Sequence, residues 1–276
     1  MRETKDADFP WWLVILGVTG LWLGYEVWAS AIYSQVMGTL VKGIQVTVAV
    51  TLVAYVSACA LGLGLAVAGL SRYVVLRQAA RVWIEVIRGV PIMVLLLYVA
   101  FVISPALVFA WNWVASWLGA TPITSRDFPL IARAVLALTL AYSAFLAEIF
   151  RAGLQAVDKG QIEAAMSLGL TGWQRFRHIV FPQAFRTILP PLGNDFVAMV
   201  KDSSLVSILG VADITQLGKV QAAGNFRYFE TYNMVALLYL VMTIGLSLGL
   251  LRIEARLKMH TKSRASPLTP AIFGHE

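Results

Sequence analysis

QIEAAMSLGLTGWQRFRHIVFP, residues 161–182, lies past the middle of a 276-residue chain. It holds Glu163, Arg175, Arg177 and His178 among alanines, glycines and a few large apolar residues, and long apolar runs flank it on both sides. What such an insert is for depends on what surrounds it. The chain is 59% hydrophobic and only 13% charged, whereas soluble domains carry about 25% charged residues. Its mean hydropathy is +0.74. These values describe an all-α integral membrane protein whose apolar runs are spans.

A spanning helix needs about 20 apolar residues. Six segments are expected as spans: Trp11–Trp28, Ile44–Leu70, Val90–Ala110, Leu130–Phe150, Phe185–Val200 and Tyr232–Leu251. The fifth is interrupted by Pro190, Pro191, Gly193, Asn194 and Asp195. The first is expected to be an uncleaved span, because "MRETKDADF" before it is not the positive region of a signal peptide. With the N-terminus inside, sixteen Lys and Arg fall in inside segments and five in outside segments, with Arg133 inside the fourth span. That bias places both termini in the cytoplasm. The net charge of +7 is therefore orientation charge and does not point to nucleic acid. Trp111, Trp113 and Trp117 are expected to anchor the outer end of the third span.

The insert then belongs to the cytoplasmic loop between spans four and five. Glu163, Ala164 and Ala165 favour helix, Gly169 permits a turn, and Thr171 can cap a second short helix. Leu168, Leu170, Trp173, Phe176 and Ile179 supply an apolar face. Residue physics alone leaves two readings open, a helix lying on the membrane surface or a docking element for a soluble partner.

The stretch resembles the EAA loop of ABC-importer permeases. Glu163-Ala164-Ala165, three residues, Gly169, nine residues, Ile179 and then Pro182 match its spacing, with Phe181 where that family has Leu. "EVIRGVPIMVLLLY" (85–98), "AYSAFLAEIFRAGLQAVDKGQIEAA" (141–165), "FPQAFRTILPPLGNDFVAMVKDSSLVSILGV" (181–211) and "NMVALLYLVMT" (233–243) resemble its polar amino-acid uptake branch. The resemblance implies a type I importer core of five helices over residues 40–255. Residues 1–35 would be a tail and an extra helix, and 256–276 a cytoplasmic tail. It implies that Glu163, Ala164, Ala165, Gly169, Ile179 and Pro182 form a coupling helix seated in a cytosolic ATPase dimer. Glu163 would fix the loop to nearby basic residues. The implied partners are a second permease (the same or a sister chain) and an extracytoplasmic binding protein docking on residues 201–231. ATP and magnesium would be held by the ATPase, in a bacterial or archaeal plasma membrane, and the substrate would be a polar amino acid.

Catalysis by this chain finds little support. "LGKV" (217–220) lacks the Ser or Thr of a nucleotide loop, and Asp213 stands where its first glycine belongs. "GLGLAVAG" (62–69) lies inside a span and is expected to serve close helix packing. There is no H-E-x-x-H, and His178, His260 and His275 lie outside the spans. No metal site is expected. The lone Cys59 is a packing residue.

Polar groups in a span are costly and default to functional candidates. Asn194 and Asp195 near the middle of the fifth span, and Lys201 and Asp202 near its outer end, are candidates for the substrate pathway, with the prolines breaking the helix toward a cavity. The alternative is that Asp195 pairs with Lys201 or a partner chain and only holds helices together. Arg133, a turn inside its span, can snorkel. Glu85 and Arg88, and Glu148 and Arg151, form two E-x-x-R pairs at cytoplasmic span ends, expected to brace or gate the coupling loop. The rival classes are a self-sufficient channel or secondary transporter, which would work without ATP, and a membrane scaffold, which would be indifferent to Asn194 and Asp195.

Overall fold

The computed structural model describes residues 11–262. Among these residues there are only helices and their connections. In chain order they are α1 (Trp11–Ala29), α2 (Ala31–Gly69), α3 (Val74–Gly89), α4 (Ile92–Tyr98), α5 (Ser104–Leu118), α6 (Leu130–Gln155), α7 (Lys159–Ser167), α8 (Gly172–Arg175), α9 (Phe181–Asp202), α10 (Ile214–Asn225) and α11 (Tyr228–Lys262). A single i→i+5 turn over Val99–Ile103 joins α4 to α5, so that Ile92–Leu118 runs as one 27-residue rod. Ser104 Oγ donates to Val99 O at 2.7 Å there.

Among the described residues four helices are long and apolar enough to cross a membrane: Ala31–Gly69, Ile92–Leu118, Leu130–Gln155 and Tyr228–Ala255. Val14–Ala29 is a shorter apolar helix. Helix α9 has 22 residues but carries Arg186, Asp195, Lys201 and Asp202, so composition alone does not mark it as a span.

Helix α6 is the centre of the bundle and packs on α2, α9 and α3. Its small residues Ala134, Ala137, Ala141, Ala144 and Ala147 are buried and let α2 come close. At Gly62 a Cβ would stand 2.9 Å from Ser143 O, so the close packing expected of "GLGLAVAG" holds there; Gly64 and Gly69 face open space. A second core gathers Leu23, Tyr33, Val36 and Leu40 against Ile214 and Met234, joining α1, α10 and α11 to the first half of α2.

The segments between the expected spans are themselves largely helical. In segment 30–43, Ser30 alone separates α1 from α2, which is helical from Ala31. Residues 71–89 are mostly helix α3, because Ala80, Ile84 and Ile87 recur at helical spacing and bury against α6, while Arg77, Arg81, Glu85 and Arg88 recur on one flank. Residues 201–231, expected outside, hold a short 3-10 run (Ser203–Leu209) followed by α10. Helix α11 continues to Lys262, and residues 1–10 and 263–276 lie outside the described part.

Candidate functional site

The loop between α6 and α9 is built by caps. Asp158 caps α7, its Oδ1 accepting from Gln161 N at 3.2 Å. Helix α7 ends at Gly169, whose φ of +76° is the left-handed conformation that glycine adopts without a Cβ clash. There Gly169 N donates to Met166 O (2.9 Å) and Leu170 N to Ala165 O (3.1 Å). Thr171 then caps α8 as the sequence suggests, in a reciprocal box with Gln174. An i→i+5 turn over Phe176–Val180 carries the chain into α9. Pro182 sits in the first turn of α9, where no N–H is needed.

Within this loop Ala165 is the buried contact of α7, while Glu163, Ala164 and Gly169 are exposed and Ile179 is half-buried. Glu163 makes no ion pair with the loop's basic residues, contrary to expectation: among the described residues the ion pairs are Glu148–Arg151 and Arg227–Glu230. The loop is tied down instead by Gln183, whose Nε2 donates to Gln161 Oε1 (2.7 Å) and to Ile179 O (3.0 Å). Sequence reading overlooked this clamp because two exposed glutamines 22 residues apart carry no spacing signal. Leu168 (79% exposed) and Trp173 (66%) stand in the open. Trp173, Phe176, Phe181 and Phe185 form a ladder with centroids 5.9, 5.9 and 5.8 Å apart. An exposed apolar patch of this kind marks an interaction surface.

The two E-x-x-R segments meet. Helix α3 packs on the second half of α6: Trp83 Nε1 donates to Ser143 Oγ (3.3 Å), and the Arg88 guanidinium lies 5.8 Å from the Phe145 ring centre. A cavity of about 400 Å³ is lined by Leu70, Arg81, Glu85, Glu148, Arg151 and Gln155, among others. The Glu148–Arg151 pair forms as expected, whereas Glu85–Arg88 does not, because Arg88 turns to Phe145.

Helix α9 is continuous from Phe181 to Asp202, so the expected break at Pro190 and Pro191 is absent. Neighbours hold the segment straight: Tyr55 donates to Leu192 O at 2.6 Å, and Gly193 fits under Leu250, to which a Cβ would approach within 2.7 Å. Asn194 and Lys201 are exposed, while Asp195 and Asp202 are half-buried. Each pair is seven residues apart, so the four form two adjacent rows along the helix. Asp195 has no ion pair with Lys201 among the described residues. Asp202 instead accepts from Tyr142 at 2.7 Å. Tyr142 and Tyr55 were missed; the only signal was a phenol placed inside an apolar run, where its hydroxyl needs a partner.

At the other end of α6, Arg133 Nε donates to Phe128 O (3.0 Å) and Nη1 to Ala100 O (3.3 Å), so its guanidinium reaches the segment before α6 and staples the α5–α6 connection. The fully buried Asp213 caps α10, accepting from Gln216 N (2.8 Å) and Tyr239 (3.1 Å). A G-x-S-x-G spacing does occur, at Gly245–Gly249, but it lies inside uninterrupted α11 with no strand before it, so it forms no nucleophile elbow. Among the described residues no three His, Cys, Asp or Glu gather to hold a metal.

The family described as "binding-protein-dependent transport system inner membrane component" matches residues 60–259. The "Probable amino-acid permease protein YxeN" of Bacillus subtilis is 38% identical over 75% of this chain and 85% of its own length. The glutamine transport system permease protein GlnP of Escherichia coli is 35% identical over 80% and 93%. Among solved structures, an amino acid ABC transporter crystallised with histidines superposes with a TM-score of 0.66 at 36% identity, over 79% of this chain and 94% of that one. The MetNI methionine transporter shares the fold at a TM-score of 0.62 and 21% identity, over 80% and 97%.

Proposed function

Because this chain belongs to the family of binding-protein-dependent transport system inner membrane components, we propose that it is the permease subunit of an ATP-driven importer for polar amino acids. The single observation that carries the coupling role is the capped loop. Its turn at Gly169 is fixed and its apolar face, with Leu168 and Trp173, is uncovered. A cytosolic ATPase dimer, holding ATP and magnesium, seats that face. The loop's two roots are α6 and α9, which pack on each other, so a displacement of the loop moves both. A second permease, the same chain or a sister, faces the exposed row of α9, and Asn194, Asp195, Lys201 and Asp202 line the path between the two. Arg88, over the Phe145 ring, braces α3 against α6 beside the loop, and Glu85, Glu148 and Arg151 line the cavity between the two helices as a gate. An extracytoplasmic binding protein docks on residues 201–231 and delivers the amino acid. The chain resides in a bacterial or archaeal plasma membrane with both termini cytoplasmic, as the positive-inside bias supports. Its relatives' names support the amino-acid assignment.

The test is co-purification. The tagged chain, gently solubilised from its host, is expected to bring down a P-loop ATPase, and Glu163→Lys and Gly169→Pro to lose it. Proline cannot take the positive φ at 169. Recovery of this chain alone, with uptake intact in ATP-depleted vesicles, would leave a self-sufficient transporter.

A further inference from the structure

The charged cavity between α3 and α6 has unused chemistry. Glu148 and Arg151 satisfy each other. Arg81 and Glu85, one turn apart on α3, line the same cavity and have neither an ion pair nor a hydrogen bond among the described residues. The lining therefore presents one free cation and one free carboxylate, with no net charge.

Its place in the fold narrows the ligand. Leu65 and Gly69 of the lining lie in the last turns of α2, with Leu70 just after its end, and Glu148, Arg151 and Gln155 lie in the last turns of α6. Two spanning helices end here, so the cavity lies at the boundary of the hydrocarbon zone. Around α3, at 100° per residue, the Arg81–Glu85 flank borders a stripe of Val75, Val82 and Val86, which are 81, 63 and 57% exposed. An apolar, outward-facing stripe on a membrane protein meets acyl chains. Charged lining and lipid-facing stripe are therefore contiguous on one helix.

We propose that this cavity binds the headgroup of a zwitterionic phospholipid bearing a primary ammonium. The phosphate is held by Arg81 and the ammonium by Glu85, with an acyl chain lying along Val82 and Val86. Guanidinium suits phosphate through paired donors. A primary ammonium has three N–H donors for a carboxylate, which the quaternary ammonium of a choline lipid lacks. An anionic glycerol lipid offers Glu85 only neutral hydroxyl donors and no cation, a weaker contact than a charge-assisted one. The bound lipid would sit between α3 and α6, just above the root of the coupling loop. The inference rests on the chain being embedded in a membrane and is independent of which solute it moves.

The experiment uses the full chain purified with its co-expressed partners, delipidated, and offered phosphatidylethanolamine, phosphatidylcholine or phosphatidylglycerol in turn, with bound lipid read by native mass spectrometry. Phosphatidylethanolamine is expected to be retained about tenfold better than the other two, the order expected for losing a charge-assisted contact. Arg81→Gln and Glu85→Gln are expected to lose it by about the same factor. Arg81→Lys keeps a cation and retains most of it. Arg77→Gln, on the same helix but outside the cavity, retains all of it. The lipid series on the unaltered chain decides the matter even where a variant does not fold. Equal retention of phosphatidylglycerol, or unchanged retention in Arg81→Gln, overturns the proposal. Displacement of the lipid by millimolar glutamine, lost in Arg81→Gln, would reassign the cavity to a free amino acid and also overturn it.

Discussion

Gly43 and Gly64 are both helical glycines of α2, yet alanine should act with opposite sign at the two. At Gly43 an added Cβ would stand 2.5 Å from Ile214 N and 2.7 Å from both Asp213 C and Ile214 Cα, all backbone atoms. Ordinary contact begins at 3.4 Å, so α2 and the start of α10 would have to part by nearly 1 Å. No side chain is available to swing aside, which puts the cost at the upper end for overpacking, about 2–3 kcal/mol. The displacement falls on the Asp213 cap and on the bond from Ile214 N to Thr47 Oγ1 (3.4 Å). At Gly64 no atom lies within 4 Å of the added Cβ, and the substitution removes glycine's helix penalty, a gain of about 0.5–1 kcal/mol. The assay is thermal unfolding of the purified assembly, followed by the monodisperse fraction remaining after heating. At about 2–4 °C per kcal/mol, Gly43→Ala should lower the midpoint by about 4–12 °C and Gly64→Ala raise it slightly. Equal midpoints for the two variants would refute the close approach of α2 to α10, and with it the placing of the outer segment.

At Gly169 the Cβ would meet nothing within 4 Å, so alanine there pays only the left-handed backbone cost of about 1–2 kcal/mol; ATP-dependent uptake should fall severalfold in Gly169→Ala and recover in Gly169→Asn, which tolerates that conformation, and equal loss in both would mean that a partner surface, not φ, demands glycine. Tyr142→Phe removes the donor to Asp202 and should cost about 1.5–3 kcal/mol, the value of a hydrogen bond to a charged acceptor, read as a lower thermal midpoint; an unchanged midpoint would show that water or another donor already serves Asp202. Glu148→Gln breaks a partly exposed i,i+3 pair (side chains 39% and 31% exposed) and should change stability by less than about 0.5 kcal/mol, so that a large fall in uptake at an unchanged midpoint marks the pair as part of the moving machinery, and a matched fall in both marks it as structural.

The loop between α6 and α9 is the most legible part of the chain. Its turn residue, its second cap and its helix–turn–helix order are local matters, decided by Gly169 and Thr171 within a few residues of where they act. Helix α3 was less legible because its charges lower the mean hydropathy that marks a span, while its helical period emerges only when Ala80, Ile84 and Ile87 are read as a buried line. Pro190 and Pro191 misled for a physical reason. A proline removes one ladder bond and crowds the preceding turn, but whether the helix then breaks depends on neighbours, here Tyr55 and Leu250, which are distant in sequence. The phenol–carboxylate bond of Tyr142 and Asp202 spans 60 residues, and no spacing rule reaches it. Glu163 erred in the other direction: a carboxylate among arginines suggests a pair, but on an exposed helix a pair gains little over water.

These contacts also explain why the loop is stiff where it joins the bundle. A force applied to the Leu168–Trp173 face can reach the membrane helices only through the ends of α6 and α9. Those ends are locked to each other: Gly153 of α6 lies directly against Ile188 and Ala184 O of α9, with no room for a Cβ. Gln183 in the first turn of α9 bonds back to Gln161 in α7, so the loop is pinned at its far root as well. If only one root were fixed, the loop would pivot and its motion would dissipate in local rearrangement. With both roots tied, the loop is held to α6 and α9 together, and that unit presents surfaces to α2, α3 and α11 and an open row of Asn194 and Lys201. One of those surfaces holds the Arg81–Glu85 cavity, and another faces outward from α9. Packed interfaces shift between discrete arrangements rather than bending continuously.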